Sequence, residues 1–218
     1  PEGNKFGPIQ SCTLAERTRC IPTVTPYFLA PRVAEFRSRH PEVELVLVEN
    51  LTSRLVEDLL TGTIDIALLT LPVSNRDLVI SRLFRERLML VLPPDHPLKD
   101  AAELSPRDLA GERFLVLREG HCFREDALTV CRRARVDIGA VFESDQLASI
   151  FGLIEGGFGV SLAPELALAS ASRCRFVRLV PEAVRRIGYA QRRRSFVPPA
   201  QKAFIKWLRE IAATLENR

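Results

Sequence analysis

Two cysteines, Cys122 and Cys131, stand nine positions apart in the stretch "REGHCFREDALTVC" of residues 118–131. Cysteine thiols are readily oxidised, and two thiols can be joined as a disulfide. The residues between them have the pattern of a short helix, in which each residue rises ~1.5 Å and turns ~100°, so the two cysteines are roughly 13 Å apart on opposite faces. A disulfide needs its Cα atoms within ~7 Å. Joining these thiols would therefore require the helix to unwind.

The two thiols are expected in different surroundings. One face of the predicted helix carries Phe123, Ala127, Cys131 and Ala134, which predicts that Cys131 lies against the core. Cys122 stands at the N-terminus of the helix near Arg118 and Arg124, and positive potential there favours the thiolate, the reactive form of cysteine. From the spacing alone, one alternative stays open: both cysteines are small buried hydrophobic residues.

The composition excludes several classes of protein. The chain has 218 residues, of which 46 % are hydrophobic and 27 % charged, and no run of eighteen apolar residues, which predicts a folded protein with no membrane segment. The 31 Lys and Arg are interleaved with 27 Asp and Glu for a net charge of +4. This weak basic bias is not the concentrated stripe typical of nucleic-acid binding.

The cysteines and histidines argue against structural disulfides and metals. The start "PEGNKFGPIQ" has no apolar signal-peptide region, which favours a reducing cytoplasm. Five cysteines at irregular spacing do not form a disulfide framework. The three histidines and the cysteines show no zinc-site spacing. We therefore expect neither a metal nor a cofactor.

Helices and strands alternate along the first part of the chain. The segment "PYFLAPRVAEFRSRH" has helical spacing and ends before Pro41, and the strand "VELVLV" follows. Thr52 or Ser53 can cap the next helix, Gly62 ends it, and "IDIALL" reads as a buried strand. Successive βα units predict a parallel sheet.

The pattern restarts after Pro93, Pro94 and Pro97. The strand "RFLVL", the helix 123–134, the strand "GAVFES", a helix with C-terminal glycines and the strand "GVSLAP" follow in order, and residues 198–215 form an amphipathic tail helix. The predicted fold class is α/β, with two Rossmann-like α/β subdomains joined by two crossover strands near residues 86–92 and 187–192.

The predicted domain boundaries follow from this break. Residues 21–86 with 192–218 form subdomain I, residues 87–191 form subdomain II, and residues 1–20 are a linker remnant and an uncertain first strand. A ligand of such a fold binds in the crevice between the halves, at the carboxyl ends of the strands. Thr23 and Thr52 sit where helix N-termini would face this crevice, where they either cap the helices or bind a small polar ligand or an anion.

Four ordered segments resemble the effector-binding domain of LysR-type transcriptional regulators: "IPTVTPYFLAPRVAEFRSRHPEVELVLVE", "LLTGTIDIALL", "LVLPPDHPL" and "IFGLIEGGFGVSLAPELA". The segment "GHCFREDALTVC" further resembles the peroxide-sensing members of that family. The resemblance implies a fold like that of periplasmic binding proteins, with Cys122 as the sensor that forms a sulfenic acid and Cys131 as its resolving partner in a disulfide.

The resemblance also implies a set of ligand-binding residues. These are Thr23, Thr52, His121, Arg124, Glu125 and Arg185, with the neighbouring Arg186 as the alternative to Arg185. His121 could equally be a solvated loop residue. Glu125 occupies the place where the peroxide sensors carry Asp.

The expected partners follow from the same resemblance. They are hydrogen peroxide as the signal, promoter DNA bound through an N-terminal winged helix-turn-helix that this chain lacks, a second copy of the chain in a dimer or tetramer, and a thiol reductant such as glutaredoxin or thioredoxin. The alternative is a regulator that binds a small organic acid in the crevice. A free-standing solute-binding protein and a thiol peroxidase are disfavoured, since neither a signal peptide nor a thioredoxin-like pattern is present.

Overall fold

The computed structural model describes residues 14–136, 140–171, 173–193 and 196–216. The strands are β1 (Leu14–Cys20), β2 (Val43–Glu49), β3 (Ile66–Leu71), β4 (Leu78–Leu92), β5 (Glu103–Leu104), β6 (Phe114–Leu117), β7 (Ala140–Ser144), β8 (Ser161–Pro164), β9 (Arg175–Leu179) and β10 (Val184–Arg192). The helices are α1 (Val33–Arg39), α2 (Thr52–Thr61), α3 (Cys122–Arg133), α4 (Leu147–Glu155) and α5 (Pro199–Glu216). The predicted α/β fold is confirmed.

Strand β1 lies at the centre of the first half, paired in parallel with β2 on one side and β3 on the other. The charged sequence "LAERTRC" does not have the apolar pattern of a central strand. It is stable in this position because each of its arginines forms an ion pair with a carboxylate that is distant in the chain. Arg17 pairs with Asp65 at 3.1 Å, and Arg19 pairs with the buried Asp58. Residues 14–20 are therefore a strand of the same sheet as β2 and β3, the strand whose position was uncertain from the sequence.

The predicted helix of residues 26–40 is interrupted. A π-helical turn covers Thr25–Leu29, and α1 begins only at Val33, beyond Pro31. Proline has no N–H for a helical hydrogen bond and its ring crowds the preceding turn, which accounts for the break. The expectation of one continuous helix here was wrong.

Helix α2 begins one residue earlier than its predicted caps allow. Leu51 is the N-cap, Thr52 is the first helical residue, and neither Thr52 nor Ser53 caps the helix. The predicted C-terminal end is confirmed, because Gly62 adopts a φ of 79° and its N–H bonds to the carbonyls of Asp58 and Leu59. The N-cap prediction was wrong.

Two strands carry the chain between its halves. Residues 78–87 of β4 pair antiparallel with β10, and residues 88–92 of the same strand pair with β8 and β9. Strand β10 pairs with β3 from Arg186 to Gln191, and it therefore already belongs to the first sheet several residues before the boundary predicted at 191/192. The domain boundaries themselves stay a prediction.

A separate hydrophobic core lies on each side of this passage. The first includes Phe28, Phe36, Leu55, Leu59, Leu68, Tyr189, Phe204 and Trp207. The second includes Leu90, Leu115, Phe123, Cys131, Ile150, Phe151, Leu162 and Val177. In the first core, the Phe36 ring lies 5.2 Å from the rings of both Phe204 and Trp207. The predicted apolar stripe of the tail helix therefore packs into the core of the first half.

Gly188 marks the tightest point of the crossover. A β-bulge in β10 falls between Ile187 and Gly188, and a Cβ at Gly188 would lie 2.5 Å from the Ser81 carbonyl oxygen. We expect Gly188→Ala to lower the free energy of unfolding by about 1–3 kcal/mol, because neighbouring backbone must shift. Urea titration with a spectroscopic probe of unfolding measures this value.

Gly152 is the matched control. It lies on the exposed side of α4, and nothing is within 4 Å of an added Cβ. Gly152→Ala should raise the free energy of unfolding by about 0.5–1 kcal/mol, since alanine loses less conformational entropy in a helix. Equal effects of the two substitutions would contradict the close approach at Gly188.

Candidate functional site

Helix α3 carries both cysteines and joins the two halves. Its buried face consists of Phe123, Ala127 and Cys131, as predicted, and these residues lie in the second core. Cys122, the first helical residue, packs instead against the first core. Both thiols are free. The helix is thus anchored at its N-terminus to one half of the molecule and along its length to the other.

The Cys122 thiol faces the end of a strand from the first half. Its Sγ lies 3.5 Å from the Thr70 hydroxyl, and Thr70 is the second-last residue of β3. Cys122 is partly exposed, whereas Thr70 is buried. Sequence reasoning missed Thr70, although a polar residue that ends the buried run "IDIALLT" was the available signal.

Arg185 occupies the centre of the junction. Its side chain is 1 % exposed, and its Nε donates to the Glu86 carboxylate at 2.7 Å. Its two terminal nitrogens donate to the Thr23 hydroxyl at 2.8 Å and to the Thr23 carbonyl at 3.1 Å. The guanidinium lies 5.2 Å from the centre of the Phe123 ring, close enough for a cation–π contact. Thr23 is therefore a partner of Arg185 and not a helix cap.

Of the two neighbouring arginines, only Arg185 is buried, and Arg186 is exposed. The alternation of a β-strand sends adjacent side chains to opposite faces. Glu86 was also missed by sequence reasoning. The available signal was that Glu86 alternates with the apolar residues Phe84 and Leu88 and so shares their face of the strand. A carboxylate buried there needs a buried cation.

The N-terminus of α2 approaches the loop before Cys122. The side chain of Leu51 lies so close to Gly120 that a Cβ there would be 3.1 Å from Leu51 Cδ1. The next residue, Thr52, has a buried hydroxyl with no hydrogen-bond partner among the described residues. Buried hydroxyls rarely lack partners, so this one is available to a small polar ligand.

His121 is buried and not solvated. It is 6 % exposed, and its Nε2 lies 3.5 Å from an oxygen of Asp145. Arg118 binds the same carboxylate at 2.9 Å. The imidazole and this guanidinium thus share one acidic residue just before α4.

Arg124 and Glu125 have structural contacts. Arg124 donates to the Leu117 carbonyl at 3.0 Å and to Glu143 at 2.6 Å, which ties the first turn of α3 to β6 and β7. Glu125 is exposed and pairs with Arg132 at 3.6 Å. The structure therefore does not bring Glu125 to the Cys122 thiol, and it gives Arg124 other partners.

The buried thiols differ in chemistry from ordinary cysteines. Burial raises the pKa of Cys131 from 9.0 to about 11 and that of Cys174 to about 11. Burial also raises the pKa of Cys20 to about 12, although Thr25 opposes the shift. These three thiols are protonated near neutral pH and so are poor nucleophiles while the fold is intact.

The described ranges 14–136, 140–171, 173–193 and 196–216 hold neither a candidate metal site nor a candidate membrane-spanning helix. They contain no cluster of three or more metal-binding side chains and no helix long and apolar enough to cross a membrane.

Comparisons with known proteins agree on one family. The model of the LysR substrate binding domain matches residues 17–213. A probable hydrogen peroxide-inducible genes activator of Mycobacterium avium is 37 % identical over 177 residues, covering 79 % of this chain and 57 % of that protein. The DNA-binding transcriptional dual regulator OxyR of Escherichia coli K12 is 32 % identical over 148 residues, which cover 68 % of this chain and 48 % of that protein. The chain spans about half the length of these curated relatives.

A solved structure extends this likeness to the fold. The reduced form of the OxyR regulatory domain from Pseudomonas aeruginosa has a TM-score of 0.81 to this chain at 26 % sequence identity. The matched region covers 93 % of this chain and 98 % of the Pseudomonas aeruginosa chain. The predicted periplasmic-binding-protein-like fold class is thereby confirmed.

The buried ion pair makes a prediction about stability. Arg185→Met would leave the Glu86 carboxylate buried without its cation, and we expect a loss of about 3–5 kcal/mol in the free energy of unfolding. Arg186→Met is the matched control at an exposed position and should change it by less than about 0.5 kcal/mol. Urea unfolding of both variants decides, and a larger loss from Arg186→Met would contradict the arrangement.

Burial of Cys131 predicts a pH dependence of stability. In the unfolded chain the thiol ionises near its ordinary pKa of 9.0, whereas in the folded protein it stays protonated up to about pH 11. Its contribution is therefore complete below pH 9 and is lost as the pH rises through 11, by about 3 kcal/mol for a shift of about two pKa units at 1.36 kcal/mol each. Unfolding titrations from pH 8 to 11 should show a shallower decline for Cys131→Ala. Parallel plots of the free energy of unfolding against pH for the parent and Cys131→Ala would argue against this contribution of Cys131.

Proposed function

Because this chain belongs to the family of LysR substrate-binding domains, we propose that it is the sensing domain of a transcriptional regulator that detects hydrogen peroxide through Cys122. The observation that carries the proposal is the position of the Cys122 thiol, partly exposed at the junction of the two halves and 3.5 Å from the Thr70 hydroxyl. Relatives that are named probable hydrogen peroxide-inducible genes activators support the same ligand.

Hydroxyl groups suit a peroxide molecule as hydrogen-bond partners. Hydrogen peroxide donates two hydrogen bonds and accepts several, and hydroxyl groups can do both. The Thr70 hydroxyl contacts the thiol, and the buried Thr52 hydroxyl on the facing helix has no partner among the described residues. Thr23 is held by Arg185, so we assign it to support of the site and Thr52 and Thr70 to contact with peroxide.

The first step is oxidation of Cys122. The thiolate attacks one peroxide oxygen, an S–O bond forms, the O–O bond breaks, and the departing hydroxide takes a proton to leave as water. The product is a sulfenic acid. Cys131 stays protonated in the core during this step, since burial raises its pKa to about 11. Its role therefore begins only when the helix opens.

The second step joins the two cysteines. After α3 unwinds, the Cys131 thiolate attacks the sulfenic sulfur, an S–S bond forms, the S–O bond breaks, and a second water leaves after protonation. Two electrons pass from the two thiols to the peroxide. Unwinding also removes Phe123 from the face of Arg185, and this contact connects the chemistry to the junction between the halves.

The whole regulator is proposed from its relatives. We infer a DNA-binding domain outside this chain, assembly as a dimer or tetramer, action in the bacterial cytoplasm, and re-reduction by a dithiol protein such as glutaredoxin or thioredoxin. Family membership points to a regulator and not to an enzyme. Peroxide is then a signal that each domain consumes once for each cycle of reduction.

Substitution of the two cysteines separates their roles. Cys122→Ser should abolish rapid thiol loss with peroxide in stopped-flow measurements. Cys131→Ser should still react and should leave a sulfenic acid on Cys122 that dimedone traps, with no intramolecular disulfide. Cys174→Ser is the matched control, because this thiol is buried in the second core beside the Phe151 carbonyl and is not part of α3, so its loss should leave the peroxide reaction unchanged.

The decisive outcome concerns Cys122. If Cys122→Ser reacts with peroxide as fast as the parent protein, the peroxide-sensor function is wrong. The alternative, binding of a small organic acid in the crevice, then takes its place, with the Thr52 hydroxyl as an available contact.

A further inference from the structure

Asp126 is a carboxylate placed in the middle of the helix that separates the two cysteines. Its side chain is half-buried, and its Oδ2 atom is buried with no hydrogen-bond partner among the described residues. Folded proteins satisfy most buried polar atoms, so an exception in a switching helix needs an explanation. Its neighbour Glu125, by contrast, is exposed and paired with Arg132.

The surroundings disfavour the charged form of Asp126. Burial raises the pKa of this carboxyl, the positive charge of Arg185 lowers it, and the negative charge of Glu125 raises it, with burial the largest of the three effects. The attraction of Arg185 thus does not compensate for the loss of water. Arg185 already donates to Glu86 and Thr23.

The side of α3 that carries Asp126 is only partly buried. A cavity of about 500 Å³ lies along this side, lined on the helix by Asp126, Thr129, Val130 and Arg133. The neighbouring face of the helix, about 100° around its axis, is buried through Phe123, Ala127 and Cys131. Docking of this one face is therefore what holds a helix of only 12 residues, a length that is marginal in isolation.

We propose that Asp126 acts as a built-in destabilising residue of α3, which favours unwinding and so shifts the redox equilibrium of the Cys122–Cys131 pair toward the disulfide. The carboxylate lacks a partner only while the helix is folded, because water reaches it once the segment unwinds. Its cost therefore falls on the reduced state alone. This inference rests on the proposed function, and it names a residue that sets the threshold of the switch.

The test measures the disulfide equilibrium without peroxide. The chain is equilibrated with glutathione, so that one glutathione disulfide oxidises the Cys122–Cys131 dithiol and is released as two glutathione thiols. Alkylation and intact mass then give the oxidised fraction. Asp126→Ala should lower the equilibrium constant for disulfide formation about tenfold, which corresponds to about 30 mV for a two-electron couple.

Glu125→Ala is the matched control, since it also removes one carboxylate from the same helix but from an exposed and paired position. It should change the equilibrium constant by less than twofold. Equal shifts for the two variants, or a shift of Asp126→Ala toward the disulfide, would overturn the role of Asp126.

A second measurement keeps the inference independent of the proposed function. If the parent protein forms no Cys122–Cys131 disulfide at any glutathione ratio, the proposed function fails. Hydrogen exchange of the α3 amides in the reduced protein still tests Asp126. Exchange should be about tenfold slower in Asp126→Ala than in the parent and unchanged in Glu125→Ala, and equal exchange in all three proteins would refute the destabilising role.

Discussion

The buried positive charge of Arg185 is the constraint on which the rest of the site depends. A guanidinium has five donors in a fixed plane, and burial requires them to be neutralised and hydrogen-bonded. Glu86 on β4, Thr23 before the first helical turn and the Phe123 ring on α3 meet these needs from three separate elements. One side chain therefore fixes the relative position of both halves and of the cysteine-bearing helix.

Helix α3 differs from the elements around it in how it is held. Strands such as β3 are paired with a neighbouring strand on both sides and are buried at every residue but the last, whereas α3 has one docked face and a cavity along another. Loss of core contacts on that docked face costs a few kcal/mol, while each 30 mV of redox potential is worth about 1.4 kcal/mol in a disulfide equilibrium. Because the two quantities are of similar size, the opening of α3 that we propose would be reversible by reduction.

The four described thiols differ in how far they are buried, and this difference determines their reactivity. Cys20 lies in the first core and Cys174 in the second, and burial raises the pKa of both. Cys131 is buried in the same way but belongs to α3, the segment that opens in the proposed mechanism. Cys122 alone among these four is partly exposed. Access to solvent, combined with helix position, therefore selects which cysteine meets an oxidant first.

Local patterns in the sequence predicted most of the helices and strands, the buried stripe of α3 and the geometric conflict between Cys122 and Cys131, because helical and strand periodicity depend only on neighbours in the chain. The tertiary structure alone decided what depends on distant partners. It made the charged β1 a central strand, selected Arg185 over Arg186, and brought Glu86 and Thr23 to that arginine across 99 and 162 positions of the chain. A buried charge is stable only beside its partner, and no local pattern states which distant residue that partner is.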